Sequence, residues 1–486
     1  MNKLIRKIND LSQGYDVYAI GGFVRDLFLK RKHKDIDLTV NKNALKYSEK
    51  IAEAFKAKLV ILDDKNKIYR IILRDNVVAS IDISLFNGKT IEEDLQNRDF
   101  TVNAIAFNLK DFENFEEHII LPNKYALKDL KSKTLNTVST KALKYDPLRM
   151  LRAFRFVAEY DFKLSKKILC QIKQNAKLIN KVASERIKNE FFRVLSIRES
   201  VPLIDKMDKC GLLAEIFHEI KKMKKAYKKY YYHTGGLFQH SFETMVAVEN
   251  ILNNLQKYFP ENYLDLEQHF EFVDSFSENI TKVKVGLLKF VALFHDNAKP
   301  ETTTIKNGKP RFLKHEQRGA EKIREIMLSL KFSEKDIEFS MFLVKHHMRP
   351  STLTRNNIVT TKAALKFLRD IGDKTPDLLI LSMSDWHSYK KLKVFSHKEL
   401  NLQEKSARWL LNYYYKLKHT KPLPKIIDGN IIMNKFNLKP GEWIGELLKI
   451  AVEAQQEGKV SDTNEALKLL FQKLTRIKKK YNILRG

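Results

Sequence analysis

At about residue 136 the hydrophobic rhythm of this chain changes, and that change limits its architecture more than any other feature. Ahead of it, VYAIGG, DIDLTV, KLVILD, YRIILR and VASIDISLF alternate or run apolar over strand-length stretches. Segments at 1–13, 23–29 and 44–57 have helical spacing, and an apolar stretch at 102–108 fits strand or helix. Behind residue 136 the strand signals stop and long amphipathic helices take over. The expected fold class is therefore α+β, with an α/β head at 1–135 followed by an all-helical remainder. Breaks near 227–236, 299–310 and 421–430 carry Gly, Pro or aromatic clusters. They divide the remainder into a neck at 136–225, a His-rich middle at 226–400 and a C-terminal helical region at 401–486. The terminal RIKKKYNILRG reads as a solvated tail.

The head contains several arrangements that suit phosphate chemistry. GGFVRD, at 21–26, follows an apolar strand and opens a helix. Gly21 and Gly22 let backbone approach a phosphate, the helix start offers free N–H donors, and Arg25 adds a charge-assisted contact beside Asp26. Asp35 and Asp37, two apart on a strand, share one face. Such a pair suits Mg²⁺, which prefers hard oxygen ligands shared with substrate phosphates. Asp82, in SIDIS, is a third acid on a strand and can join a metal or accept a hydroxyl proton. In the cluster EEDLQNRDFTVNA, Arg98 suits phosphate, Asp99 adds charge and Asn103 can bond a ribose hydroxyl. In YDPLRMLRAFRF, Asp146 and Pro147 read as helix cap and first turn. Asp146 and Arg149 lie on one face, an acceptor and a forked donor able to read a base edge. Arg152 and Arg155 continue a basic stripe. Taken singly, each of these also has a plain reading as turn, cap or surface charge.

Together, GGFVRD, DID, NRDFTVNA, YDPLRMLRAFRF and SERIKNEFFRVL resemble the bacterial class II tRNA nucleotidyltransferase and poly(A) polymerase family. The likeness is strong over about the first 200 residues, and IIDGNIIMNKFNLKPGEWIGELL extends it weakly. It implies a nucleotidyltransferase head in which Asp35 and Asp37 hold Mg²⁺ and Gly21, Gly22 and Arg25 bind a triphosphate. Arg98, Asp99 and Asn103 would contact sugar and phosphates. Asp146 and Arg149 would select CTP or ATP, with Glu185 and Arg186 supporting that helix. The implied reaction joins CMP or AMP to the 3′ acceptor end of tRNA. The sequence departs from the family at Tyr145, where an acid often precedes the template Asp.

The middle region carries a second pattern. His240, the doublet His295-Asp296, His315, His346 and Asp385 occur in an order that resembles the HD phosphohydrolase superfamily. That resemblance implies a transition divalent metal held by His240, His295, Asp296 and Asp385, with His315 and His346 free to serve a second ion or a phosphate. Ala298 replaces the glycine usual before Lys299.

The chain is 486 residues long, which suits two to four domains. Its 89 Lys and Arg against 59 Asp and Glu give a net charge of +30, a field that favours polyanions such as RNA. Two cysteines, Cys170 and Cys210, make neither a disulfide framework nor a zinc site. With no signal-like N-terminus and no apolar run of membrane length, the expectation is a cytoplasmic protein without a membrane partner. Addition of the full CCA end is the leading expectation. CC-only addition, A-only addition, poly(A) synthesis and HD-type phosphohydrolysis stand as alternatives.

Overall fold

The computed structural model describes residues 2–31, 35–73, 78–226, 233–271, 284–307, 309–353, 359–390, 395–420 and 424–481. It is a mixed helix-and-sheet protein, 65% helical, with its main sheet at the N-terminal end. The chain divides into two compact units. The first comprises Met1–Ala226, Phe272–Leu287 and Arg324–Ile337; the second comprises Tyr227–Glu271, Leu288–Ile323 and Glu338–Gly486.

In the first unit seven strands form one sheet. They are β1 (Val17–Ile20), β2 (Asp35–Val40), β3 (Lys58–Asp63), β4 (Ile68–Ile72), β5 (Ser80–Leu85), β6 (Ala106–Asn108) and β7 (Ile119–Ile120). Their spatial order is β3-β4-β5-β2-β1-β6-β7. Only β2 and β5 pair in parallel, and their register sets Asp37 directly against Asp82. Strand alternation then sorts the side chains: Ile36, Leu38, Ile81 and Ile83 are fully buried, while Asp35, Asp37 and Asp82 take the opposite face. The helix Ala44–Ala54 packs on β4 and β5, burying Tyr47 and Ile51. Seven α-helices follow the head between Ala142 and Lys225 in this unit. Of these, Arg149–Tyr160 packs against Ser184–Leu195.

The second unit centres on helix Gly236–Asn253 packed along helix Thr375–Ser388. Ser396 and Glu399 form a reciprocal capping box that starts the 23-residue helix His397–His419. The last helices, Glu442–Gln456 and Thr463–Lys480, share a core of Leu447, Ala451, Ala466 and Leu470. No described helix is long and apolar enough to cross a membrane.

Two expectations need correction. The region behind residue 136 is not free of strands: Thr303–Lys306 pairs with Lys309–Phe312, and Thr134–Leu135 pairs with Lys163–Leu164. The sequence at 307–308 is Asn-Gly, the strongest short-range hairpin signal, and the break assigned to 299–310 overlooked it. The C-terminal lysines also belong to a folded element, since helix Thr463–Lys480 runs through Lys478, Lys479 and Lys480 and buries Ile477. Residues 482–486 of that supposed tail, and 227–232 of the first break, lie outside the described residues.

Candidate active site in the head and a buried His-Asp centre

The turn after β1 carries Gly21 at φ +68°, a left-handed conformation that favours glycine. It brings helix Gly21–Phe28 against the carboxylate of Asp37. A Cβ on Gly22 would lie 3.1 Å from Asp37 Oδ2, and one on Gly21 would lie 3.3 Å away. The Phe23 N–H donates to the same oxygen at 3.2 Å. Burial, reinforced by the neighbouring Asp82 charge, raises the Asp37 carboxyl to about 6. The site therefore crowds negative charge where a cation would relieve it.

The other two acids are already engaged by neighbouring side chains. Asp82 is clamped by Arg70 through two bonds of 2.8 Å, from Nε and Nη2. Asp35 accepts from Ser80 Oγ at 2.7 Å. Arg70 stands opposite Asp82 across β4 and β5, so their pairing follows from register alone. Sequence reasoning missed Arg70, although YRIILR and SIDIS mark two strands whose pairing would have exposed it.

Arg25 is buried and donates to Asn103 Oδ1 at 2.8 Å and to Asp26 at 2.9 Å, while its guanidinium lies 3.8 Å from the Tyr160 ring centroid. Asn103 donates in turn to Asp99 at 3.3 Å, and Asp99 pairs with Arg152 at 2.7 Å. Burial would raise the Asp99 carboxyl, but Arg152, the Phe100 N–H and Arg149 outweigh it and lower it. The structure thus links Arg25, Asp26, Asp99, Asn103 and Arg152 in one chain of contacts. Arg98 pairs with Asp94 at 2.9 Å.

Two cavities open on these residues. A smaller one, about 370 Å³, is lined by Gly21, Gly22, Arg25, Asp37, Asp82 and Asn103 among others. A larger one, about 830 Å³, includes Lys65, Lys67, Tyr145, Asp146 and Arg149. Arg98, Asp99 and Arg152 line both. Asp146 accepts the Leu148 N–H at 3.1 Å, as a cap does, and pairs with Arg186 at 3.1 Å. Arg149 is anchored on three carbonyls, those of Asn97, Arg98 and Ala142, at 2.8–3.2 Å.

Arg155 also lines the smaller cavity, but Glu159 and Glu190 hold it at 2.6 and 2.7 Å. Burial opposes its charge, and those two carboxylates outweigh the burial and raise its pKa. Arg155→Ala would leave the shielded Glu190 without its cation and Glu159 with only Arg193, 3.9 Å away. It is expected to cost about 3–5 kcal/mol of stability, read as a fall in melting midpoint. A loss within 0.5 kcal/mol would assign Arg155 no structural share.

The second unit gathers His240, His295, Asp296, His315, His347 and Asp385 in its interior. His240 Nε2 lies 3.3 Å from His295 Nε2, 3.1 Å from Asp296 Oδ2 and 3.2 Å from Asp385 Oδ1. His315 and His347 aim Nε2 at Asp296 Oδ1 from 3.4 and 3.7 Å. None of those last three atoms has a hydrogen-bond partner. The Nδ1 atoms of His295, His315 and His347 are each held by a backbone carbonyl, of Ala292, Phe312 and Val344 respectively, at 2.7–2.8 Å. Holding Nδ1 this way turns Nε2 inward, as in metal-binding histidines; where no ion shares them, Asp296 and Asp385 overcome burial and raise His295 to about 10. Burial pushes His347 down to about 3, which keeps it neutral. Two ligand trios result, His240–His295–Asp296 and Asp296–His315–His347, and they share Asp296. Among the described residues no other such group was found, so the head acids do not form one in this conformation.

The histidine that joins His315 in the second trio is His347, where the sequence reading named His346. His347 is buried, whereas His346 is partly exposed and packs on Phe342. The helical row Ser340, Val344, His347 is buried throughout, and this periodicity distinguishes the two. Lys299 is a further member that sequence reasoning did not assign: its ammonium contacts Asp296.

Three family models match the chain in order. "Poly A polymerase head domain" covers residues 17–136, "Probable RNA and SrmB- binding site of polymerase A" covers 161–224, and "HD domain" covers 237–389. Over these stretches the chain is similar to the tRNA nucleotidyltransferase and poly(A) polymerase family. It is 28% identical to the CC-adding tRNA nucleotidyltransferase of Thermus thermophilus, covering 94% of this chain and 93% of that protein. It is 33% identical to the CC-adding tRNA nucleotidyltransferase of Geobacter sulfurreducens over 204 residues, 42% of this chain and 46% of that protein, so this match spans under half of the relative. The fold matches that of the Thermotoga maritima CCA-adding enzyme complexed with tRNA, at TM-score 0.65 and 20% identity, covering 97% of this chain and 95% of that one.

Proposed function

We propose that this chain adds CMP and AMP from CTP and ATP to the 3′ end of tRNA, releasing pyrophosphate. The observation that carries this reading is the joining of two cavities in the head through Arg98, Asp99 and Arg152. One presents a glycine turn, a buried arginine and a carboxylate crowded by another; the next presents an acceptor and a forked donor side by side. Triphosphate and base of one nucleotide fit these two environments. The names of the Thermus and Geobacter relatives agree with tRNA as acceptor.

In this reading the RNA 3′-oxygen bonds to the α-phosphorus, the bond from that phosphorus to the pyrophosphate oxygen breaks, and pyrophosphate leaves. Asp35 and Asp37, on one strand face, would hold Mg²⁺, beside Asp82. Bound Mg²⁺ supplies Lewis-acid polarisation of the phosphoryl group and acidifies the attacking hydroxyl. Gly21, Gly22 and Arg25 face the triphosphate, Arg25 being kept rigid by Asp26, Asn103 and Tyr160. Arg98, Asp99, Asn103 and Arg152 orient sugar and phosphate, Arg155 backs the same wall, and Asp146 and Arg149 read the base.

In the second unit His240, His295, Asp296 and Asp385 fit a divalent transition ion. His315 and His347 offer a further pair of imidazoles, and their Nε2 atoms, like Asp296 Oδ1 and Asp385 Oδ1, are buried without a hydrogen-bond partner. Metal analysis of purified protein is expected to find a divalent ion that His295→Ala loses, while nucleotide addition persists. Equal metal content in both proteins would make the centre a plain buried His-Asp network.

The excess of basic side chains suits a tRNA partner, and the cytoplasm is where such a substrate is met. The test is to supply tRNA lacking CCA, or lacking only its terminal A, with labelled CTP or ATP singly and together. Growth by C, C and A is the expected result; addition stopping after CC, or of A alone, would narrow the reading to a partial enzyme. Indiscriminate A addition to unrelated RNA would replace it with poly(A) synthesis.

A further inference from the structure

We propose that Tyr145 is a base-stacking residue whose ring holds the face of a nucleobase at the larger cavity. This rests on the nucleotide-transfer reading above. Tyr145 ends the short helix Ala142–Tyr145 and immediately precedes Asp146. Its side chain lines the 830 Å³ cavity together with Asp146 and Arg149, yet it is 69% exposed. Most of that lining is charged or amide, with Ile68, Leu85 and Phe86 its apolar members, and a large aromatic left 69% in water at its rim is not held there by core packing. The other aromatic of this lining, Phe86, is accounted for: it packs on Tyr18, 5.8 Å between centroids, and joins the cluster around Ile20 and Leu95. Tyr145 has no aromatic ring neighbour among the described residues.

The edge-reading groups beside it are fixed. Asp146 is held by the Leu148 N–H and Arg186, and Arg149 by its three carbonyls. Edge hydrogen bonds constrain a base in its own plane but leave its face open. A ring at position 145 supplies the missing contact, which is tolerant of base identity because every base has a π-face. An acid at this position would offer no such face. Stacking of this kind adds binding and leaves the phosphoryl step to other groups. The base is either that of the incoming nucleotide or the last base of the RNA acceptor.

The test is steady-state kinetics of full-length wild type, Tyr145→Ala, Tyr145→Leu and Tyr145→Phe, varying CTP or ATP at fixed tRNA and then tRNA at fixed nucleotide. Thermal melting checks folding, which exposure of this side chain leaves safe. Tyr145→Ala is expected to raise one KM about tenfold with little change in kcat. Tyr145→Phe should restore wild-type values and Tyr145→Leu should not. A nucleotide KM effect assigns the incoming base, and a tRNA KM effect assigns the acceptor's last base. Unchanged KM values in Tyr145→Ala, a fall confined to kcat, or equal impairment in Tyr145→Phe would overturn the stacking role while leaving nucleotide transfer intact. Absence of transfer by wild type would instead overturn the functional reading itself, and the stacking role with it.

Discussion

Asp37→Ala is expected to lower incorporation of both CMP and AMP by roughly a thousandfold or more, the effect of losing about 4 kcal/mol at the transition state. Asp37 is the head carboxylate that faces the glycine turn, takes the Phe23 N–H and is crowded by Asp82. Its removal deletes the acceptor around which the phosphate-side cavity is built. The head itself should stay folded. Asp37 is only partly buried, and removing it relieves repulsion from Asp82 and leaves the Ile36 and Leu38 side of the strand untouched. Asp35→Ala should act in the same direction. Near wild-type transfer by a folded Asp37→Ala protein in Mg²⁺ would exclude this carboxylate from the reaction.

The second large effect concerns base choice. Arg149→Ala is expected to relax selection against UTP and GTP or to lose incorporation altogether. An anchored donor beside an anchored acceptor fits one edge pattern, and a wrong base sets donor against donor or acceptor against acceptor. Discrimination of that kind reaches about 10⁴-fold. Asp146→Asn separates this role from capping, because asparagine caps a helix as well as aspartate does. A plain cap leaves rate and preference unchanged in Asp146→Asn; a template changes them. Relative incorporation of the four nucleotides by wild type and both variants decides between the two.

Much of this was legible because the relevant chemistry is local in sequence. VYAIGGFVRD and DIDLTV announce strand, glycine turn and acidic strand face within 20 residues of one another, and the register of β2 follows from its own alternation. YDPLRMLRAFRF likewise carries cap and basic stripe on one helix. What escaped was long-range or doubly readable. Arg70 acquires meaning only once β4 lies beside β5. Lys299 sits one turn after Asp296, but its contact with that carboxylate depends on both being turned into a shared interior. The doublet at 346–347 offered two imidazoles, and only the burial row of its helix told them apart. The hairpin at 303–312 was hidden by lysines and a proline, which weaken strand signals even where Asn-Gly fixes the turn. Arg155 shows the converse: a basic stripe read as phosphate contacts includes a member already engaged by Glu159 and Glu190, a pairing that helical spacing reveals only for Glu159.

In this reading the head joins nucleotides to the tRNA 3′ end and the His-Asp centre does not. One measurement addresses it directly: pyrophosphate released per nucleotide joined to tRNA, for full-length wild type, Asp37→Ala and Asp296→Ala. The prediction is one pyrophosphate per added nucleotide in wild type, loss of both in Asp37→Ala, and retention of both in a folded Asp296→Ala. Release of phosphate without growth of the RNA end, with turnover that survives Asp37→Ala and disappears in Asp296→Ala, would contradict it.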